Sequence, residues 1–114
     1  MEKRTTPPFR YDIVGSFLRP PKLQKARADF AAGKMDAAAL KACEDEAIRD
    51  LVAKEKAVGL LAVTDGEFRR RYWHLDFLAA LEGVTEVKAK HWSVHFKGHQ
   101  PKAATIQITD RLGF

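Results

Sequence analysis

The stretch Leu60-Leu61-Ala62-Val63-Thr64-Asp65-Gly66-Glu67-Phe68-Arg69-Arg70-Arg71 runs from an apolar segment into two carboxylates separated by one glycine, and then into three arginines. A short apolar run bounded in this way predicts a buried strand, Leu60–Thr64, that delivers acidic groups at its C-terminal end. Ligands of α/β proteins bind at the ends of parallel strands, which makes Asp65 and Glu67 the first candidates for a site.

On the N-terminal side, Pro7-Pro8 closes an extended lead-in, and Phe9-Arg10-Tyr11-Asp12-Ile13-Val14 predicts a short first strand that stops at the turn Gly15-Ser16. Arg19-Pro20-Pro21 follows, and proline suits the first turn of a helix because an amide there has no intrahelical acceptor. The composition from Lys22 to Ala32 is helical, with Leu23, Ala26 and Phe30 sharing one face and Gly33 as the stop. Asp36 is placed to cap a second helix that runs to Val58 and closes at Gly59. Its apolar stripe is Leu40, Cys43, Ala47 and Leu51, widened by Ile48 and Val52; Glu44, Asp45, Arg49 and Lys56 are assigned to a solvated face. Cys43 reads as a small core residue of that stripe.

The order strand, helices, strand predicts a parallel pair with a long crossover. A helix over Tyr72–Leu81 follows, with Gly83 ending it. Residues 1–83 are thus expected to form a βααβα unit. Residues 84–114 change character: Val84–Phe96 and Ala104–Ile108 are rich in β-branched and aromatic residues, with Gly98 and Pro101 between them. They predict an antiparallel β-hairpin.

A chain of 114 residues, 46% hydrophobic and 31% charged, suits one domain with a small core. One cysteine excludes a disulfide framework and a cysteine-built zinc site. No apolar run approaches a membrane span, and Met1–Thr6 is too polar for a signal peptide, so a soluble, cytoplasmic protein is expected. The net charge of +5 is divided between the two ends of the chain, since residues 35–82 hold seven basic and ten acidic side chains. Without a basic face, nucleic acid is not an expected partner.

Two readings of Asp65-Gly66-Glu67 stand side by side. In one, Asp65 caps the next helix and Glu67 pairs with one of Arg69, Arg70 and Arg71. In the other, a carboxylate holds the amine of a substrate through a charge-assisted hydrogen bond. The Gly15-Ser16 turn ends the first strand as Asp65-Gly66-Glu67 ends the second, and in a parallel pair both turns fall on one edge. A backbone amide and hydroxyl there would hold a carboxylate, and together the two turns describe an amino-acid site. Trp73 and His74 are candidates to line the same cleft, as is Arg19. His91, His95 and His99 are spaced four apart. In a strand, His91 and His95 stand about 13 Å apart, too far to chelate one ion, and His99 falls in the turn.

Val14-Gly15-Ser16-Phe17 with Arg19-Pro20, and Thr64-Asp65-Gly66-Glu67-Phe68-Arg69-Arg70 followed by Trp73-His74-Leu75-Asp76-Phe77, resemble the opening of the cobalamin-independent methionine synthase family. The closer resemblance is to its single-domain, methionine synthase II-like members, related to the catalytic C-terminal domain, and it covers nearly the whole chain. It implies a (β/α)8 barrel with the active site at the C-terminal ends of the strands. It also implies transfer of a methyl group from methyltetrahydrofolate to the thiol of homocysteine, with zinc holding the thiolate. Carried over by position, Val14, Gly15 and Ser16 would contact the substrate carboxylate and Glu67 its amine, with Asp65 in support.

A complete barrel takes ~200 residues or more, so the chain is expected to be an incomplete (β/α)8 TIM-barrel start followed by the hairpin. The family's zinc ligands, a histidine, two cysteines and a glutamate, match no residues of this sequence. The expectation is part of an amino-acid pocket, inactive alone and completed by self-association or by a complementing chain. A module that binds an amino acid or thiol, and a non-catalytic, self-associating remnant, are the alternatives.

Overall fold

The computed structural model describes residues 4–8, 13–89, 97–98 and 103–114. The chain divides into two compact units, Met1–Arg69 and Arg70–Phe114. The described residues form a mixed helix-and-strand fold whose strands make one two-stranded antiparallel sheet.

The first unit contains helix α1, Pro21–Ala31, and helix α2, Ala37–Ala57. Pro21 opens α1, where its missing N–H costs no hydrogen bond. The Asp36 side chain accepts the Ala39 N–H at 2.7 Å and so caps α2. Both helices end alike: Lys34 N–H reaches back to the Asp29 carbonyl at 2.8 Å, and Leu60 N–H to the Glu55 carbonyl at 3.1 Å. This is the Schellman closure, with Gly33 and Gly59 at its left-handed position.

Leu23 and Ala26 of α1 are buried together with Phe68. The expected stripe of α2, from Leu40 to Val52, is half-buried throughout, and the buried residues of this helix are Glu44 and Glu55. That corrects the assignment of Glu44 to a solvated face. Glu44 follows Leu40 by four residues and precedes Leu51 by seven, which puts it on the apolar side. A charge is tolerated there because it is paired: Arg69 meets it at 2.9 Å and Arg27 at 3.7 Å. Asp45, also assigned to the solvated face, is half-buried, whereas Arg49 and Lys56 are exposed as expected.

Leu60–Thr64, the expected second strand, is irregular and has no ladder partner among the described residues. Strand backbone needs a neighbour to satisfy its polar groups. Here the Thr64 N–H is taken instead by the buried Glu55 carboxylate, at 3.3 and 3.4 Å to its two oxygens. Of the expected first strand, residues 9–12 lie outside the described residues, and Ile13 and Val14 are irregular. The parallel pair of the βααβα unit is therefore not seen among the described residues.

The second unit holds α3, Asp76–Ala79, then β1, Glu82–Lys88, and β2, Ala104–Gly113. The helix expected over Tyr72–Leu81 is reduced to this one regular turn. The Asp76 carboxylate accepts the N–H groups of Arg71 and Tyr72 at 2.7 and 2.8 Å, and side chain-to-backbone bonding of this kind competes with helix. Gly83 lies inside β1, at an irregularity of the ladder, and does not end a helix. The hairpin is antiparallel as expected, with Val84 opposite Ile108 and Val87 opposite Thr105. Facing hydroxyls of Thr85 and Thr109 stand 2.9 Å apart. His91, His95 and His99 lie outside the described residues. No helix among the described residues is long and apolar enough to cross a membrane.

Candidate functional site

Asp65–Phe68 is a tight turn, with the Phe68 N–H 3.4 Å from the Asp65 carbonyl. Its two central residues, Gly66 and Glu67, have φ of 67° and 56°, the sign pattern of a type I′ turn. Two neighbouring side chains build it. The Thr64 hydroxyl accepts the Gly66 N–H at 3.0 Å, and the Asp65 carboxylate accepts the Glu67 N–H at 2.9 Å. These are the local turn bonds for which Thr and Asp are suited. For Glu67 the left-handed backbone costs on the order of 1 kcal/mol, and such a conformation persists only where its surroundings over-determine it.

The surroundings come from the other candidate turn. Phe17 N–H donates to the Gly66 carbonyl at 3.1 Å, so the chain just after Gly15-Ser16 runs beside Asp65-Gly66-Glu67. Arg19, expected to line the cleft, reaches to the Glu67 carbonyl at 2.8 Å. The two motifs, some fifty residues apart in the sequence, therefore meet in space. Gly15, Ser16 and Asp65 are exposed, Glu67 is half-buried, and Val14 is 87% exposed. Among the described residues the Glu67 carboxylate forms no ion pair: Arg69 pairs with Glu44 and Asp45, and Arg71 with Glu86. Asp65 caps its own turn and not a helix. Trp73 and His74 belong to the second unit, with ring centroids 4.5 Å apart and Trp73 mostly exposed.

Sequence reasoning missed the residues that hold this turn against the helices. Arg27 donates to the carbonyls of Phe68 and Arg69 at 2.9 and 3.1 Å. Glu44 and Glu55, three helical turns apart on α2, grip the two ends of the segment through Arg69 and the Thr64 N–H. The signal available was Glu44, an acid at apolar spacing in a stripe that otherwise reads as core.

Lys41 first, and Arg69 second, hold the Asp45 carboxyl down at about 2. Asp45 in turn is the chief cause that raises Arg69 above its ordinary value. A carboxyl depressed in the fold adds stability while ionised. The Asp45 share is complete above its unfolded value of about 3.9 and is lost as pH falls through about 2. Asp45→Asn should therefore lower stability near neutrality, where that share is complete, and flatten the acid limb between these two values, so that the two proteins converge as pH falls to about 2. Acid titration followed by circular dichroism checks this, and identical acid limbs in the two proteins would count against it.

Among the described residues, no three His, Cys, Asp or Glu side chains come together as a metal-holding group. Cys43 sits half-buried on α2, in a groove shared with Pro20, Leu23 and Ala47.

Known proteins similar to the chain include two uncharacterized proteins of Bacillus subtilis (strain 168). It is 46% identical to YxjG over 112 residues, which is 98% of this chain and 29% of that protein. It is 44% identical to YxjH over 113 residues, 99% of this chain and 30% of that protein. No family model matches the chain. A crystal structure from Listeria monocytogenes, provisionally assigned as a vitamin-B12 independent methionine synthase, is similar with a TM-score of 0.60 and 48% identity, over 68% of this chain and 24% of that one. The chain thus spans less than a third of the length of each of these relatives, and it is related in sequence and structure to a methionine synthase-like protein.

Proposed function

We propose that this chain carries the amino-acid-holding part of a cobalamin-independent, methionine-synthase-type methyltransferase site. In this reading the Gly15-Ser16 turn receives the carboxylate of a homocysteine-like substrate and Glu67 receives its amine. Val14 flanks the turn, and Asp65 supports Glu67 by fixing its N–H. The observation that carries the reading is the meeting of the two turns through Phe17 and Arg19, with the Glu67 carboxylate left without an ion pair among the described residues. A zwitterionic amino acid needs a negative group and hydrogen-bond donors a few ångströms apart, and these turns supply both kinds. The likeness to the Listeria protein supports the same substrate class.

The reaction proposed is transfer of a methyl group from methyltetrahydrofolate to the thiol. The methyl–nitrogen bond breaks, a methyl–sulfur bond forms, and the thiol proton passes to the folate nitrogen. Zinc, implied by the resemblance, lowers the pKa of a bound thiol. The described residues do not fit its ligand set, so no step here runs through it. The part proposed for this chain is to bind and orient the amino acid, at the start of a (β/α)8 barrel.

Calorimetric titration of the 114-residue chain with L-homocysteine and with L-methionine tests this. Binding is expected for both, and Glu67→Gly should weaken it by tenfold or more, the weight of one charge-assisted hydrogen bond. Glycine is the cleaner replacement because it accepts the left-handed backbone without strain. A folded chain that takes up neither amino acid would sink the proposal.

A further inference from the structure

Four successive carbonyl groups after Asp65 are held from one stretch of chain, Phe17–Arg27. The Gly66 carbonyl accepts from Phe17 N–H at 3.1 Å. The Glu67 carbonyl accepts from Arg19 Nη2 at 2.8 Å. The Phe68 carbonyl accepts from Arg27 Nη1 at 2.9 Å and from Arg19 Nε at 3.4 Å. The Arg69 carbonyl accepts from Arg27 Nη1 at 3.1 Å. A guanidinium placed near a glutamate ordinarily takes the carboxylate, the stronger acceptor. Arg19 takes the Glu67 carbonyl instead, and its planar fork spans two consecutive carbonyls as a lysine could not. Arg27 is itself steadied by Glu44, at 3.7 Å.

We propose that Arg19 and Arg27 are positioning residues for Glu67. By gripping the carbonyls of residues 67–69 they keep Glu67 in its left-handed conformation, which sets where its carboxylate stands relative to the Gly15-Ser16 turn. This rests on the amino-acid reading above and adds to it the device that makes the site competent. Without the grip, the strained turn relaxes toward ordinary backbone, and affinity falls with the fraction of molecules that remain competent. The Arg19 link also couples the two half-sites, since Arg19 stands only three residues beyond Ser16.

The test pairs a binding measurement with one of backbone geometry. L-methionine is titrated into the 114-residue chain and into Arg19→Met and Arg19→Lys, and the intraresidue HN–Hα Overhauser effect of Glu67, strong only at positive φ, is recorded for each. Arg19→Met should bind on the order of tenfold more weakly and lose the strong effect at Glu67. Arg19→Lys, which keeps the charge and one donor direction, should fall between. Unchanged affinity in Arg19→Met, or a strong Glu67 effect that survives in both Arg19→Met and Arg27→Met, overturns the proposal. Should Arg19→Met fail to fold, Arg19→Lys carries both readouts. If the unmodified chain takes up no methionine, the amino-acid reading falls, and the Glu67 effect alone decides whether the arginines hold the turn.

Discussion

Phe68→Ala should destabilise the first unit by about 3–5 kcal/mol, a large share of the 5–15 kcal/mol, roughly, that holds a domain folded. Phe68 is 2% exposed and Leu23 0%, and these are the largest fully buried side chains among the described residues. Around so small a core there is little apolar material to collapse into the space a phenyl ring leaves, which places the cost toward the upper end of its range. Phe68 also directly follows Glu67 and lends its carbonyl to Arg19 and Arg27. Loss of the ring should therefore loosen the candidate site along with the core. Urea denaturation followed by circular dichroism gives the energy, and a shift under about 1 kcal/mol would mean that Phe68 is far less important to packing than its burial implies.

Gly66→Ala should cost about 2–4 kcal/mol, the sum of left-handed strain and overpacking. A β-carbon at Gly66 would stand 2.5 Å from Leu51 Cδ2 and 3.0 Å from Phe68 Cε1, on a backbone with φ of 67°. The turn is therefore pressed against the Leu51 side chain of α2, which must shift, together with the Phe68 ring, to admit a β-carbon. Gly15→Ala is the matched comparison: φ is 82° there, but nothing lies within 4 Å of the added carbon. It should show the strain alone, about 1–2 kcal/mol. Equal thermal shifts for the two variants would refute the close approach of Gly66 to α2.

The helices of the first unit were legible because their ends are written in neighbouring residues. Pro21, Asp36, Gly33 and Gly59 each act on backbone groups a few positions away, and local chemistry of that kind survives translation from sequence to structure. The hairpin was legible from alternation, although β2 runs on past Ile108 to Gly113. The Asp65-Gly66-Glu67 turn was found as a site candidate, and its own side chains shape it, through Thr64 and Asp65.

Elsewhere the deciding partner of a residue lies outside its local pattern. Leu60–Thr64 has the composition of a strand, and strand is a property of a pair: its expected partner, residues 9–12, lies outside the described residues, while the Thr64 N–H is held by the Glu55 carboxylate. Tyr72–Leu81 has helical spacing, but regular helix is confined to Asp76–Ala79, and the Asp76 carboxylate accepts the N–H groups of Arg71 and Tyr72 ahead of it. Glu44 is a charge that local pattern assigns to solvent, and its burial is made tolerable by Arg27 and Arg69, which stand 17 and 25 positions away.

Residue order alone established the two helices and their caps and the turn that presents Glu67, because each rests on contacts within a few residues, and it established the hairpin because alternation marks both of its strands. The fold in three dimensions established that Gly15-Ser16 lies beside that turn, that Arg19 and Arg27 spend their guanidinium groups on its carbonyls, and that Glu44 and Glu55 anchor its two ends. Those contacts join residues 9 to 49 positions apart, and no local preference encodes which carbonyl a distant arginine will reach.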